Sequence, residues 1–343
     1  MNRLILSDGD IQEIRSLLDD LTTRFDTAED EEFLNNSAVY ARKLPEAVHQ
    51  FLNDFKQLEG SAGVCAISGY PINDGEIGRT PPHWRRKPGI SPSLEEEMIL
   101  VLFGSLLGEL IGWSTQQQGR LVHDVVPIKE NEDSQLGTGS KNLLWWHTED
   151  AFHPLRGDYL VLMCLRNPDR IPTTFACVDK TTLDPKHIDI LFQPRFFIRP
   201  DDSHSEENRE PRQPSTAPDE TLDTSYAKLA RMSDDPESIA ALYGDQDTPY
   251  IRIDPYFMSS KGGDKEAEEA LAMLIKQMED NISEEILQAG TFLFIDNYRT
   301  VHGRKPFTAR YDGTDRWLKR VNITRDLRKS RAARPYISSR VIF

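Results

Sequence analysis

Long apolar runs are missing from this chain, and cysteine is scarce. The most hydrophobic segment, Met98 to Trp113, contains Glu109 and is too short to cross a bilayer, so it reads as a buried helix. Three cysteines (Cys65, Cys164 and Cys177) are too few, and odd in number, for a disulfide framework. Each lies in an apolar stretch, which suits buried free thiols in a reducing cytoplasm. Positive charge is also in deficit: 41 Lys and Arg against 56 Asp and Glu give a formal net charge of −15. That balance argues against a nucleic-acid partner and against an anionic membrane surface. A basic run does surround Lys319, Arg325, Arg328 and Lys329, but no aromatic stacking platform accompanies it. Acids rather than an apolar core follow Met1-Asn2-Arg3-Leu4-Ile5-Leu6-Ser7, so no secretory signal is expected.

What is present is a mixed pattern, helices first and strands later. Ser7 can cap a helix that shows Ile11, Ile14, Leu17, Leu18 and Leu21 on one face. A second helix opens with Pro45 at its first position and carries Val48, Phe51, Leu52, Phe55 and Leu58. Val64–Ser68 reads as a strand and Asn73–Pro92 as a long loop. Short strands are expected at 120–127, 143–148, 158–165, 174–178, 195–199, 250–254, 291–296 and 316–325, with helices near 185–192 and 265–278. The class this implies is α+β: a sandwich or jelly roll with helices packed outside. Residues from Pro200 to Leu222 are acidic, proline-bearing and almost without large apolar side chains. They read either as a solvated connector or as a lid over a site.

The chemistry concentrates in Trp146-His147-Thr148-Glu149 and, far downstream, in Val301-His302-Gly303-Arg304. Side chains two apart on a strand share a face, so His147 and Glu149 could grip one metal ion. His302, at the exit of an apolar strand, would complete a two-histidine, one-carboxylate triad of the kind that holds iron(II). His153 competes as a ligand, because a pair six apart across a turn can bind zinc. Arg316 and Arg320 follow His302 and suit the carboxylates of an oxo-acid and an amino acid.

These residues belong to longer stretches. They include Gly112-Trp113-Ser114-Thr115-Gln116-Gln117, His147-Thr148-Glu149-Asp150-Ala151-Phe152, Arg199-Pro200-Asp201-Asp202-Ser203-His204, Phe294-Ile295-Asp296-Asn297 and Asp312-Gly313-Thr314-Asp315-Arg316-Trp317-Leu318-Lys319-Arg320. In these the sequence resembles the clavaminate-synthase-like iron(II)/2-oxoglutarate oxygenases, and within them the β-hydroxylases of free L-arginine and of its cyclic derivative L-enduracididine.

The resemblance implies a single domain over 1–343. A double-stranded β-helix, or jelly roll, would carry the N-terminal helices of 1–112 outside and a flexible lid at 200–225. His147, Glu149 and His302 would hold Fe(II), with 2-oxoglutarate and O2 as cosubstrates. Arg316, assisted by Thr174, would take the distal carboxylate of 2-oxoglutarate. Arg320 would clamp the substrate α-carboxylate, while Gln116 and Glu149 would receive the α-amino group. Asp254 and Ser203 would meet the guanidino group. Arginine hydroxylases of this group carry a second aspartate two residues after the first, where this chain has Tyr256. Ring closure in enduracididine removes one N–H donor, so one carboxylate with an aromatic neighbour suits it. The expected reaction is hydroxylation at C3 of a free guanidino amino acid, L-enduracididine before L-arginine, in specialised-metabolite biosynthesis. A zinc hydrolase built on His147, His153 and Glu149, or a non-catalytic jelly-roll binding protein, are the readings from other classes.

Overall fold

The computed structural model of the protein describes residues 1–59, 63–85, 89–178, 183–205 and 219–343. The chain opens with strand β1 (Asn2–Ile5) and helix α1 (Asp8–Thr22). A capping box starts α1: the Ser7 hydroxyl accepts the Asp10 amide, and the Asp10 carboxylate accepts the Ser7 amide. Helix α2 (Glu31–Tyr40) is capped by Asp30, and α3 (Glu46–Leu58) starts just after Pro45, which holds the cap position. Strand β2 (Val64–Ser68) follows, and a short helix α4 (Asp74–Ile77) lies inside the expected 73–92 loop. Residues 86–88 of that loop are outside the described residues.

The expected Met98–Trp113 helix is two elements. Helix α5 (Leu94–Ser105) stops early, and Glu109–Trp113 forms strand β3. An unbroken apolar run has no period that separates a buried helix from a buried strand. Backbone contact decides here. A Cβ on Gly108 would lie 2.2 Å from the Thr324 carbonyl oxygen, and one on Gly112 would lie 2.7 Å from that of Arg120. Glycine therefore lets this stretch press flat against neighbouring backbone.

The middle of the chain supplies β4 (His123–Val125), β5 (Leu144–His147), β6 (Tyr159–Arg166), β7 (Thr173–Cys177), α6 (Pro185–Leu191) and β8 (Phe196–Ile198). Helix α7 (Asp219–Asp234) then precedes β9 (Leu242–Gly244), β10 (Pro249–Ile251), β11 (Met258–Ser260) and α8 (Lys265–Asp280). The last strands are β12 (Ser283–Glu285), β13 (Phe292–Asp296), β14 (Thr300–Arg304), β15 (Trp317–Thr324) and β16 (Val341–Ile342). The larger sheet has the order β1-β2-β13-β6-β15-β3-β16, with β4 also paired to β15; the smaller is β12-β7-β14-β5.

Alternation along the strands sets the layers. On one face of the larger sheet, Ile67, Val161, Met163, Phe292 and Phe294 share a core with Leu18, Leu52, Met98 and Phe103 of the N-terminal helices. On its other face, Leu160, Leu162, Leu293, Ile295 and Leu318 pack with Phe175 of β7 in the smaller sheet. The outward residues of the smaller sheet, Ala176 and Val301, pack with Leu191 of α6 and with Leu274 and Met278 of α8. Helices thus cover both outsides, and two sheets face each other across a seam. No described helix is long and apolar enough to cross a membrane.

Candidate metal centre and its cavity

The seam holds the site. On β14, Val301 points outward, so His302 and Arg304 point inward. The antiparallel register sets His302 opposite His147 of β5 and Phe175 of β7, and Arg304 opposite Thr173. His302 therefore stands in the middle of a strand, not at a strand exit. Glu149 lies beyond β5, which ends at His147. A turn with Asp150 at a positive φ of 51°, rather than strand alternation, carries its carboxylate back. Asn297 fixes that turn: its Oδ1 accepts the Glu149 amide (2.7 Å), and its Nδ2 donates to the carbonyls of Glu149 (3.0 Å) and Gly157 (2.9 Å).

The result is a compact donor set. His302 Nε2 is 3.3 Å from Glu149 Oε2, and His147 Nε2 is 3.7 Å from the same oxygen. One ligand atom from each of the three lies within 4.8 Å of the others. His147 Nδ1 sits 2.7 Å from the Trp145 carbonyl, which only accepts, so Nδ1 donates and Nε2 is the nitrogen left to face a metal. Two imidazoles and one ionised carboxylate fit iron(II). Against the cost of burial, Arg320 and the two histidines hold the Glu149 carboxyl well below its usual range. Burial disfavours charge on His147, yet Glu149 and Asp254 push it up to about 9; burial, only partly offset by Glu149, lowers His302.

His153 takes no part in this set. Its ring packs on Trp113 at 4.6 Å between centroids, its Nδ1 accepts the Leu155 amide (3.0 Å), and burial pushes it down to about 3. A second group, Asp150 with Asp201 and His204, lies nearby. Asp150 is already occupied, accepting from Trp113 Nε1 (2.6 Å), Asn322 Nδ2 (3.3 Å) and His204 Nε2 (3.1 Å). This anchors a short turn, Asp202–His204, beside the site.

The triad opens into a cavity of about 450 Å3 that Arg304, Arg316, Arg320, Gln116, Ser203, Asp254 and Tyr256 also line. Arg316 is 6% exposed, and its Nη2 donates to Thr173 Oγ1 at 3.2 Å. The hydroxyl beside Arg316 is thus Thr173, not the expected Thr174. Strand parity explains the difference: Thr173 and Phe175 face the seam, whereas Thr174 pairs with Gly303 on the opposite face. Burial lowers Arg316 to about 10, and burial with Arg316 lowers Arg304 to about 9. Among the described residues neither guanidinium has a carboxylate partner, so the pair forms a ready anion site.

Arg320 reaches the metal ligands. Its Nη1 forms an ion pair with Glu149, and its Nη2 donates to Gln116 Oε1 (2.9 Å) and meets His123 Nδ1 (2.8 Å). Gln116 Nε2 in turn donates to Ser203 Oγ at 2.8 Å. Asp254 is buried, pushed up to about 6 by burial, and its Oδ1 accepts the amides of Tyr256 and Phe257. Thr148 pairs with Ile253, which brings Asp254 alongside the triad. Tyr256 stands 56% exposed. Sequence reasoning gave no role to Arg304, His123, Asn297 or Asp150; three of these lie within or beside the quoted motifs, and only His123 carried no local signal.

Known proteins resemble this chain in sequence and fold. The model of the family described as taurine catabolism dioxygenase TauD, TfdA family, matches residues 181–322. An enduracididine beta-hydroxylase from Streptomyces hygroscopicus is 44% identical over 343 residues, covering 100% of both chains. An L-ornithine/L-arginine 3-hydroxylase from Catenulispora acidiphila is 43% identical over 346 residues, again covering 100% of both. A crystal structure of the non-heme iron oxygenase OrfP with Fe, succinate and (3S)-hydroxy-L-Arg superposes with a TM-score of 0.94 at 42% identity and full coverage of both chains. OrfP with Fe and alpha-ketoglutaric acid gives 0.87 at 42% identity, covering 99% of this chain and 100% of that one. Iron and 2-oxoglutarate are the cofactor and cosubstrate, and the chain belongs to the iron(II)/2-oxoglutarate-dependent oxygenases.

Proposed function

We propose that this oxygenase hydroxylates C3 of a free guanidino amino acid, L-enduracididine, with L-arginine as the second reading. The observation that carries it is the charge layout of one cavity. A cation (Arg320), an amide with a carboxylate (Gln116 and Glu149), and a buried carboxylate (Asp254) match a substrate's carboxylate, ammonium and guanidinium in turn. His147, Glu149 and His302 hold the iron, and Arg316 with Thr173 and Arg304 binds the distal carboxylate of 2-oxoglutarate. Bound iron supplies the oxidising power: O2 is divided between succinate, formed with loss of CO2, and the C3–H bond of the amino acid. Everything else is positioning. Arg320 fixes one end of the substrate and Asp254 the other, and the carbon facing the metal follows from that span.

The two facing sheets are the halves of the double-stranded β-helix of a single domain. Residues 200–225 act as a lid, whose described flanks already touch the site through Ser203 and His204; residues 206–218 lie outside the described residues. Three buried cysteines, none in a disulfide, fit a cytoplasmic enzyme, and a free unusual amino acid as substrate fits specialised-metabolite biosynthesis. Tyr256, where a second aspartate would meet an open-chain guanidinium, favours the cyclic substrate. The test offers L-enduracididine and L-arginine at equal concentration and reads each by mass spectrometry for a gain of one oxygen. Hydroxylation of L-arginine alone would overturn the first reading. Tyr256→Asp should move relative turnover toward L-arginine.

A further inference from the structure

Arg320 has five N–H donors, and its usefulness as a carboxylate clamp depends on where they point. The two hydrogens of Nη2 go to Gln116 Oε1 (2.9 Å) and toward His123 Nδ1 (2.8 Å). A histidine nitrogen can accept such a hydrogen only if it carries none, so the tautomer matters. The structure settles it. His123 Nε2 lies 2.9 Å from the Arg120 carbonyl oxygen, which only accepts, so Nε2 carries the hydrogen and Nδ1 presents the lone pair. Strand register maintains the contact, because His123 of β4 stands directly opposite Arg320 of β15. The imidazole is 3% exposed, and burial, then Arg320 and Arg120, hold it well below its ordinary value. Glu149 holds Nη1 and Gln116 one side of Nη2, and His123 is the second acceptor on Nη2, so both hydrogens of that nitrogen are held in the guanidinium plane. Arg320 Nε is buried with no partner among the described residues, so no other protein group fixes the near edge.

We propose that His123 is a positioning residue for the amino-acid substrate: a neutral acceptor that, with Gln116, locks the Arg320 guanidinium in the orientation that receives the substrate α-carboxylate. The inference rests on the reading of Arg320 as that clamp. The role lies in the acceptor at Nδ1, not in the ring's bulk or its backbone contact.

The test is steady-state kinetics of the iron-loaded enzyme with L-enduracididine or L-arginine and 2-oxoglutarate, on Arg320→Ala, His123→Leu, His123→Asn, His123→Gln and the double variant His123→Leu/Arg320→Ala. Asn places its amide near the Nδ1 end and can offer an oxygen to Arg320; Gln reaches the Nε2 end and cannot. His123→Leu and His123→Gln should raise KM for the amino acid about tenfold or more, as expected for losing a hydrogen bond to a charged group. KM for 2-oxoglutarate should stay unchanged, and His123→Asn should recover most of the loss. In the Arg320→Ala background, His123→Leu should add nothing, since it acts through Arg320. If the leucine variant fails to fold, the Asn–Gln contrast carries the same decision. Equal KM values for Asn, Gln and the unmodified enzyme, or a parallel rise in the 2-oxoglutarate KM, overturn the proposal while Arg320→Ala still raises the amino-acid KM. If Arg320→Ala itself leaves that KM unchanged, the clamp reading fails, and the role of His123 falls with it.

Discussion

Replacing Arg316 by alanine should raise the 2-oxoglutarate requirement about a hundredfold. The side chain is 6% exposed, its hydrogen-bond partner is the Thr173 hydroxyl at 3.2 Å, and its Nε has no partner among the described residues. Burial lowers it to about 10, still far enough above neutrality to keep it charged. A carboxylate entering this basin is desolvated and depends on that cation. Truncating one side of a buried pair typically costs about 3–5 kcal/mol, or roughly two to three and a half powers of ten in affinity. Arg304 remains in the same cavity, so the lower end applies. The assay is succinate formation against 2-oxoglutarate concentration at saturating amino acid, with calorimetric titration of the cosubstrate under anaerobic conditions as an independent reading. Thr173→Val should cost about fivefold, the loss of one modest hydrogen bond, and Thr174→Val nothing, because it faces the other side of the strand. A 2-oxoglutarate KM within threefold of normal in Arg316→Ala, or a larger effect from Thr174 than from Thr173, would refute the assignment.

Three other outcomes are expected. His302→Ala should lose iron and turnover, whereas His153→Ala should keep bound iron and lose only thermal stability; metal analysis beside a melting curve separates them. Asp254→Asn should raise KM for any guanidino substrate without touching that for 2-oxoglutarate. Since burial pushes the Asp254 carboxyl up to about 6, the unmodified enzyme should also bind its amino acid more weakly as pH falls below that value, and the Asn variant should lack this dependence. Glu96 supplies a stability test: burial pushes its carboxyl from 4.5 to about 7, so its native form prefers the proton. Its contribution is intact below about pH 4.5 and is lost as pH rises through 7, where ionisation costs about 3 kcal/mol. Glu96→Gln should therefore raise the Tm at pH 8 and leave it nearly unchanged at pH 4.5.

The metal set was legible because two histidines and a glutamate are chemically distinctive, although the reasons for their convergence were not. The expectation put His147 and Glu149 on one strand; in fact Asp150 at positive φ and the Asn297 clamp bring Glu149 back after β5 has ended. Thr173 and Thr174 are chemically identical neighbours, and only the pairing of β7 with β14 tells which faces the seam. The 98–113 run failed for a related reason, since its apolar letters fit a buried helix and a buried strand equally, and contacts with residues far along the chain chose between them. His123 was invisible because its meaning depends on standing opposite Arg320, about two hundred residues away in sequence. Local chemistry could be read; cross-strand parity could not.

The two sheets divide labour in a way that bears on how such an enzyme could be retargeted. Both histidine ligands hang from the smaller sheet, while Arg316 and Arg320 bracket the start of β15 in the larger one, and Asp254 and Ser203 come from connecting segments outside both. On the proposed assignment, substitutions in those connecting segments would redraw which amino acid is held without moving a ligand of the metal or the proposed anchor of the cosubstrate. Engineering a new side-chain preference should therefore begin at residues 201–204 and 254–257 and leave β14 alone. There, glycine at 303 already has no room for a methyl group, with the Leu144 carbonyl oxygen only 2.6 Å from where one would stand.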